Sequence, residues 1–596
     1  MTPTEKLHSI RIQIRKHKLD AYLIPITDPH MSEYVPLHWR TIEWFSGFSG
    51  SAATVVITAD FAGLWTDSRY FLQAEDQLKN SGLSLVKLKI PHSPEYIEWL
   101  TQHLNEGDAV GCHGELLSIG LVKKVRQSLS AKNIQLKTDI DLISPLWKHR
   151  PPLPAQPIYE HPAAYTGLSR MDKITIIRNE MNAKGVMYHL LTALDDIAWT
   201  FNIRGFDSTY SPLVVSFALI GKNTCYLFID HKKIPEHLNE NLEQDGVHIQ
   251  PYLAIYDHLE KLSKSESVYL SPASVNARLF ESIPEDCEIR EGLTIPTRLK
   301  ARKNSTELSN IRETMIREGV VLVQFIHWLE TNVGGPTQIT EMGLETKLHE
   351  LRSFQEGYMG PSFATIAGYK GHGAIVHYEA TPETDSVIKP EGILLVDTGG
   401  QYLGGTTDMT RTIALSLPSD KEKRDFTLVL KGMIQLALLK FPEGTKGYQL
   451  EAFARKALWD QGYNYGHGTG HGIGYFLNVH EGPQTIGSGA SGDRDVPLEP
   501  GMVISDEPGL YREGQYGIRT ENVLVVLEDR KTEYGTFLKF ETLTLCPIDR
   551  SLIMTEMLTN KEREWINEYH RSVYKNLSSH LSAVQRKWLK AQTTAI

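Results

Sequence analysis

The sequence predicts an α/β (α+β) protein in which two related αβ domains precede a C-terminal domain. Its 596 residues exceed what one hydrophobic core serves, so about two to four domains are expected from length alone. A proline-rich segment at 149–162 and a basic segment at 299–308 mark two boundaries. We therefore predict domains at 1–155, 156–302 and 303–596.

The first two domains are predicted to share a fold because a similar β-rich pattern occurs in each. Residues 42–67 and 197–230 both open with an aromatic-rich stretch, pass through a glycine into two β runs and end in aspartate. The five prolines of segment 149–162 cannot sustain a helix or a central strand, so this segment separates the two domains. A coincidence of unrelated β-rich patterns is the alternative.

The third domain is predicted to open with a helix. Either Asn304 or Ser305 can cap the helix that follows the basic segment. Its apolar face repeats at Leu308, Ile311 and Met315.

Composition places the chain among soluble globular proteins. It is 41% hydrophobic and 22% charged, which is ordinary for a folded protein. The net charge of −10 and the lack of a polybasic block argue against a nucleic-acid partner. The four cysteines are far apart and form no CxxC, which argues against disulfides and a thiolate metal site.

Neither a membrane span nor a signal peptide is expected. No run approaches ~20 apolar residues. The N-terminus is amphipathic and charged, without a basic region followed by an apolar run. A cytoplasmic location is expected.

The first of two predicted hairpins carries a pair of aspartates. Residues 393–399 are typical of a buried strand, and 406–415 of its returning partner. If the chain folds back near 402–403, Asp397 and Asp408 are directly opposed, with Cβ atoms on the order of 5 Å apart. Like charges at that distance repel.

The second predicted hairpin carries a pair of glutamates. Residues 502–509 and 519–527 flank a glycine-containing loop, and Glu507 and Glu521 are equidistant from Gly514. The arrangement of the first hairpin is therefore repeated.

Four carboxylates in two opposed pairs on apolar strands need compensation. Mutual repulsion and lost hydration would cost on the order of several kcal/mol unless protons or cations are present. One such acid alone would more often be a surface side chain. Two mirrored pairs, each at a hydrophobic strand, instead predict a site for a pair of cations.

A histidine ligand is predicted within residues 465–476. Glycine at every second position there excludes the helix of an HExxH zinc motif and favours a strand with one bare face that allows close backbone approach. His467, Thr469, His471 and Ile473 share the other face. Because His467 and His471 lie roughly 13 Å apart at Cα, one should bind metal and the other should face substrate. The spacing does not decide which.

Several segments resemble the dinuclear metallopeptidases of the pita-bread fold, and most closely the Xaa-Pro aminopeptidases (aminopeptidase P) in their long three-domain form. In the last domain the similar segments are GHGAIVHY (371–378), VDTGGQYLGGTTDMTRT (396–412), HGTGHGIGYFLNVHEGP (467–483) and SDEPGLYREGQYGIRTENV (505–523). In the first two they are FSGFSGSAATVVI (45–57), LWTDSRYFLQAE (64–75) and DDIAWTFNIRG (195–205). The resemblance thus covers nearly the whole chain.

The resemblance implies two creatinase-like (ribonuclease-H-like) domains followed by a pita-bread catalytic domain that binds two divalent ions. Asp397 would bind one ion, Asp408 and Glu521 would bridge both, and His471 and Glu507 would complete the shell of the second. Two Mn²⁺ are implied, although Co²⁺, Zn²⁺ or Fe²⁺ stay open because the affinity order does not select manganese.

The activity that the resemblance implies is removal of the N-terminal residue from peptides with proline in second position, through a hydroxide that bridges the two ions. Glu507 would accept the proton of the water and pass it to the leaving amine. His377, His467 and His480 match catalytic positions that contact substrate. A homodimer is also implied.

Two arginines and one more histidine receive secondary roles. Arg69 matches an arginine that approaches the substrate, with Ser68 where the family more usually has glycine. Arg519 is expected to hold an acidic ligand from two residues before Glu521. His372 is interpreted as structural.

Three other functions are weighed. A prolidase acting on Xaa-Pro dipeptides shares all five ligands but is usually shorter. Methionine aminopeptidases lack two large preceding domains. Non-catalytic pita-bread binding modules have typically lost several metal ligands, whereas all five are present here.

Overall fold

The computed structural model describes residues 1–90, 93–487 and 495–596. They form two compact units: unit 1 comprises 1–161 and 168–296, and unit 2 comprises 162–167 and 297–596. The domain boundaries near residues 155 and 302 stay a prediction. No helix in the described part of the chain is both long and apolar enough to cross a membrane.

Unit 1 begins with an αβ arrangement that ends near residue 137. Its elements are α1 (Pro3–Lys16), β1 (Ala21–Pro25), α2 (Thr41–Ser46), β2 (Thr54–Thr58), β3 (Ala62–Thr66), α3 (Phe71–Gln77), β4 (Ser84–Lys87), α4 (Tyr96–His103), β5 (Ala109–Cys112), α5 (Ile119–Ser130) and β6 (Gln135–Lys137).

A second αβ arrangement follows the proline-rich segment. The elements up to residue 301 are β7 (Tyr159–Glu160), α6 (Ala163–Thr166), α7 (Arg170–Lys184), β8 (Tyr188–Leu191), α8 (Leu194–Phe201), β9 (Ile203–Arg204), β10 (Phe217–Gly221), β11 (Cys225–Phe228), α9 (Glu236–Gln244), β12 (His248–Gln250), α10 (Ala254–Glu260), β13 (Ser267–Leu270), α11 (Ala277–Glu281), β14 (Glu288–Glu291) and α12 (Ile295–Ala301). The short helix α6 and residues 297–301 of α12 belong to unit 2.

The two arrangements have one sheet topology. The first sheet has the order β4-β3-β2-β1-β5-β6 and the second the order β12-β11-β10-β8-β13-β14. In each, three antiparallel strands are flanked by parallel strands on both sides. The predicted relation between the two N-terminal domains is therefore confirmed.

The central strands of the first sheet are buried on both faces, which explains their continuous apolar sequences. Successive side chains point to opposite faces. Tyr22 and Ile24 thus join the cluster that contains Ile10 of α1, whereas Leu23 joins the cluster that contains Val122 of α5.

Unit 2 holds the remaining elements. They are α13 (Ser305–Asn332), α14 (Glu341–Ser353), β15 (Tyr358–Pro361), β16 (Ile366–Tyr369), β17 (Ile393–Thr398), β18 (Gly400–Tyr402), β19 (Gly405–Thr406), β20 (Met409–Ala414), α15 (Asp420–Ala437), β21 (Lys440–Pro442), α16 (Glu451–Trp459), β22 (Gly470–His471), β23 (Thr485–Ile486), β24 (Val503–Asp506), β25 (Gly509–Arg512), β26 (Tyr516–Arg519), β27 (Asn522–Thr532), β28 (Gly535–Thr542), α17 (Asn560–Leu577) and α18 (Ala583–Gln592).

The predicted opening helix is α13. Of the two candidate caps, Asn304 is the one used: its side chain accepts from the backbone N–H of Glu307, whose carboxylate accepts from the Asn304 N–H. This reciprocal pair satisfies donors that the first turn leaves open. Ile311 and Met315 are buried as the apolar repeat predicts.

The first hairpin forms, but its register differs from the prediction. Asp397 lies opposite Thr410, and Tyr402 pairs with Gly405, which closes a two-residue turn of the length that hairpins favour. The fold-back centre therefore lies between residues 403 and 404, one residue later than expected. The prediction that Asp397 and Asp408 are directly opposed is wrong, and Asp408 lies diagonally, just before β20.

The second hairpin has the predicted register. Asp506 pairs with Asn522, and Gly509 pairs with Arg519, so the two flanking ladders both place Glu507 opposite Glu521. Each glutamate sits between two strands rather than inside a ladder. Their N–H groups donate to the carbonyls of Thr469 and Thr410, respectively.

The glycine-rich histidine segment is mostly not a strand. Only Gly470–His471 forms a strand, paired with β23, and Gly472 adds a single bridge to Ile504, so the long strand predicted there is wrong. The predicted close backbone approach is confirmed: a Cβ at Gly470 would lie 2.0 Å from the Ser505 carbonyl oxygen, and one at Gly472 would lie 2.1 Å from that of Glu481. Isolated hydrogen bonds to β23, to β24 and to neighbouring loops replace the continuous ladder of a strand.

A glycine contact between α15 and α16 allows a test of the fold. A Cβ at Gly432 would lie 2.1 Å from the Ala454 carbonyl oxygen. Because the backbone of Ala454 would have to move to make room for the new Cβ, Gly432→Ala should lower the free energy of unfolding by about 1–3 kcal/mol, as overpacking does. Chemical denaturation measures this. Gly343→Ala is the control, because its Cβ would meet only the Thr340 hydroxyl, at 3.3 Å; equal losses in both variants would contradict the packing argument.

Candidate metal centre

Asp408, His471 and Glu521 converge on one point. Each offers a ligand atom, and these atoms lie within 4.8 Å of one another. Asp408 directly precedes β20, His471 is on β22 and Glu521 directly precedes β27. Ends of strands from three sheets thus bring the side chains together.

Glu507 borders this cluster through His471. The Nε2 atom of His471 is 3.3 Å from Glu507 Oε1 and 3.4 Å from Asp408 Oδ2. Its Nδ1 atom is 3.0 Å from the Gly472 carbonyl oxygen, to which only a protonated nitrogen can donate. The tautomer that this contact favours leaves Nε2 as the ligating atom.

Asp397 joins the site through Arg519. Arg519 Nη2 donates to Asp397 Oδ2 at 2.6 Å, while Thr410 Oγ1 donates to Glu521 Oε2 at 2.8 Å. The second oxygens, Asp397 Oδ1 and Glu521 Oε1, are buried without a hydrogen-bond partner. A buried unsatisfied acceptor is costly, and a divalent cation would satisfy both.

Burial and the nearby negative charges make several of these carboxylates harder to ionise. Burial raises the pKa of Asp397 to about 7, with the charges of Asp408 and Glu507 adding to the rise and Arg519 opposing it. Burial and neighbouring acids raise the pKa of Glu507 as well, and that of Glu521 well above its ordinary value. The ion-free site therefore holds protons near neutral pH.

His471 is also protonated in the ion-free site. Burial lowers its pKa, but the hydrogen bond to Asp408 and the charge of Glu507 outweigh burial and raise the pKa to about 9. Four acids around one imidazole form an oxygen-rich set that fits divalent metal ions. The residues present thus fit the two-ion centre that the sequence predicts.

Arg519 holds an acid of the cluster, as predicted, and connects it to His467. Besides Asp397, Arg519 donates to the Tyr511 hydroxyl at 2.7 Å. That hydroxyl lies 2.7 Å from His467 Nε2. Of the two histidines of the glycine-rich segment, His471 faces the carboxylates and His467 is bound to Tyr511.

His480 lies directly against His471. Their rings meet edge to face with centroids 4.3 Å apart. The next residue, Glu481, is buried and pairs with Lys303 Nζ at 2.5 Å, and its N–H donates to the Gly472 carbonyl. Sequence reasoning treated Lys303 only as part of a basic boundary segment, because nothing local shows that its side chain is buried.

His377 lies in the loop after β16. The carbonyl oxygen of its neighbour Val376 is 3.5 Å from Arg519 Nη2, which places the loop beside the Asp397 side of the cluster. Tyr378, on the other side, is buried.

Arg69 belongs to unit 1 and is bound by a bidentate contact to Asp67. Its Nε and Nη2 atoms donate to the two carboxylate oxygens at 2.8 and 2.7 Å. The charge of Arg69 is therefore compensated within its own loop. Its approach to a substrate stays a prediction.

Family models match the chain from end to end. "Creatinase/Prolidase N-terminal domain" matches at 6–143 and again at 149–307, "Metallopeptidase family M24" at 309–528, and "C-terminal region of peptidase_M24" at 536–596.

Relatives of similar length share this organisation. "Probable Xaa-Pro aminopeptidase P" of Laccaria bicolor is 37% identical over 100% of this chain and 94% of its own. "Aminopeptidase P2" of Arabidopsis thaliana is 36% identical over 98% of this chain and 87% of its own.

Comparison with solved structures supports the same family. The X-prolyl aminopeptidase of Caenorhabditis elegans, described as a cytosolic enzyme with a di-nuclear active site, is 34% identical, has a TM-score of 0.95 and is covered, like this chain, over 100% of its length. A prolidase of Thermococcus sibiricus matches 65% of this chain at a TM-score of 0.51 and 21% identity, and so shows shared fold alone. The chain therefore belongs to metallopeptidase family M24 and, by identity along its whole length, to the Xaa-Pro aminopeptidases P within it.

Proposed function

We propose that this protein is a metalloaminopeptidase that releases the N-terminal residue from peptides with proline in second position. The observation that carries the proposal is the convergence of Asp408, His471 and Glu521 beside buried carboxylate oxygens that lack partners. The match to Xaa-Pro aminopeptidases over the full length supports the substrate class. A prolidase is the alternative, and the solved prolidase of Thermococcus sibiricus matches only 65% of this chain.

The proposed ligands are Asp397 for one ion, Asp408 and Glu521 as bridges, and His471 and Glu507 for the second ion. Two Mn²⁺ suit this oxygen-rich set, which can also take Co²⁺, Zn²⁺ or Fe²⁺. When bound, such a pair activates water and polarises the peptide carbonyl.

Glu507 is the proposed proton acceptor. Its side chain is 19% exposed, against 6% for Asp408, and Glu521 is buried. Among these three acids, Glu507 therefore has the best access to a substrate and its leaving amine.

Three histidines are proposed to contact the substrate. His467 is held by Tyr511, His480 lies against His471, and His377 follows Val376 beside Arg519. An imidazole can donate a hydrogen bond or a proton near neutral pH, which the developing oxyanion and the leaving amine require.

A cytoplasmic homodimer is proposed as well. The Caenorhabditis elegans relative is described as cytosolic, and the dimer follows from the family resemblance. Arg69 is proposed to approach the substrate, with Asp67 orienting its guanidinium.

The substrate class is tested with matched peptides. The protein, stripped of metal and reloaded with Mn²⁺, should release only the first residue from an Xaa-Pro-Xaa tripeptide, and should leave Xaa-Ala-Xaa largely intact. Mass spectrometry identifies the released residue. Strict cleavage of Xaa-Pro dipeptides would identify a prolidase instead, and no cleavage with any of the four metals would favour a binding module.

The bridging carboxylates are tested by removal. Asp408→Ala and Glu521→Ala should each lower kcat/KM by more than about 100-fold, beyond the loss typical of residues that only support a ligand. Elemental analysis after gel filtration should show less bound metal. Glu541→Ala is the control, since this acid pairs with Arg312 at the surface. Near-normal turnover by either bridge variant in a metal-free state would rule out the two-ion centre.

Metal uptake should depend on pH with a defined sign. Because ligands must lose their protons, the apparent affinity should rise as the pH increases through about 7, where Asp397 titrates, and through about 9, where His471 titrates. Calorimetry in buffers of different ionisation enthalpy should show protons released on binding at pH 7. A metal affinity that did not change between pH 6 and pH 9 would contradict the electrostatics of the site.

A further inference from the structure

Glu341 is a buried carboxylate with an unusual set of donors. It lies at the first position of α14 and has 0% exposure. Its carboxylate accepts from donors that all belong to residues 369–386, named here the 369–386 segment. They are Tyr369 N at 2.8 Å, His372 Nδ1 at 3.0 Å, Tyr378 Oη at 2.8 Å and Ser386 N at 3.1 Å.

The same segment wraps around the start of α14 through further bonds. The Glu341 N–H donates to the Ser386 carbonyl, and the Met342 N–H donates to Asp385 Oδ1 at 3.0 Å. Thr340 forms a β-bridge with Val387. Glu341 thus occupies the centre of a loop that has little regular structure of its own.

The surroundings of the Glu341 carboxylate suit an acidic side chain. Its position at a helix N-terminus favours a negative group, and His372 Nδ1 lies 3.0 Å from it. The His372 ring stacks on Tyr378 with centroids 4.5 Å apart. His372, interpreted from sequence as structural, therefore contacts both the carboxylate and the residue that follows His377.

The opposite side of the segment rests on the hairpin β25–β26. A Cβ at Gly517 would lie 1.6 Å from the Gly373 carbonyl oxygen, so the two backbones are in direct contact. This hairpin carries Tyr511 and Arg519, which reach His467 and Asp397. The segment is thus held between Glu341 and the site, with His377 on the part that passes Arg519.

We propose that Glu341 is a positioning residue that fixes the 369–386 segment so that His377 reaches the substrate. The inference rests on the proposed function, which gives His377 its role. Glu341 acts through His377 and contacts neither metal nor substrate. Its loss should therefore impair turnover without removing metal.

A double-mutant cycle between Glu341→Gln and His377→Ala tests this coupling. Glu341→Gln keeps the shape of the side chain but removes its charge, and should lower kcat/KM between about 10-fold and 100-fold, as misplacement of a catalytic group does. Metal content should be unchanged. The double variant should be no worse than His377→Ala alone, because coupled residues are not additive.

Glu350→Gln is the matched control, since this acid lies on the same helix and pairs with Lys347 at the surface. It should retain wild-type activity. If Glu341→Gln does not fold, Tyr378→Phe removes one donor to the carboxylate and keeps the ring, and it enters the same cycle. The inference is overturned if the fold-losses in kcat/KM of the two single variants multiply in the double variant. It is also overturned if the Glu341 variant keeps full activity.

Hydrogen exchange separates the two proposals. Amides of the 369–386 segment should exchange faster in Glu341→Gln than in wild type, without any substrate present. Unchanged exchange overturns the inference whatever the activity. If the wild-type protein is inactive on all Xaa-Pro peptides, the proposed function is overturned and, with it, the role of His377. The exchange result still shows whether Glu341 fixes the 369–386 segment.

Discussion

Mutual repulsion among buried carboxylates is the constraint on which the catalytic unit depends. Asp397, Asp408 and Glu521 are at most 7% exposed, and beside burial the charge of Asp408 raises the pKa of both Asp397 and Glu521. Such a cluster is stable only with compensating charge. In the ion-free protein, protons and the guanidinium of Arg519 supply it; bound cations would replace the protons. The same compensating charge that would be supplied by bound metal ions therefore also stabilises the strands that carry these carboxylates.

Much of the site could be predicted because its residues are placed by local rules. A register counted from a loop centre placed Glu507 opposite Glu521, since both flanking ladders keep that register. The same reasoning misplaced Asp408 because a hairpin centre is set by turn length, and the turn after Tyr402 contains two residues. A one-residue error in the centre moves the directly opposed position from Asp408 to Thr410 and leaves Asp408 as a diagonal neighbour of Asp397.

The path of the glycine-rich segment could not be predicted from the sequence. Alternating glycines correctly indicated contact between backbones, which Gly470 and Gly472 make with Ser505 and Glu481. They did not show that those contacts would replace strand pairing. Glycine permits many conformations, so the path of the segment is set by the loops that touch it, and tertiary packing cannot be read from spacing.

The residues that sequence reasoning missed share a physical role. Lys303, Tyr511 and Glu341 are distant in sequence from the histidines that their contacts secure, and a charged residue is ordinarily expected at the surface. Burial strengthens the contacts of Lys303 and Glu341, because a polar group inside the protein has no water to exchange for its partner. Every proposed substrate histidine is consequently tied to the scaffold through a polar contact. His467 is held by the partly buried contact with Tyr511, His480 through the neighbouring buried Glu481, and His377 through the loop centred on the buried Glu341. Loops secured in this way keep catalytic geometry while their outer surfaces stay free to admit a peptide.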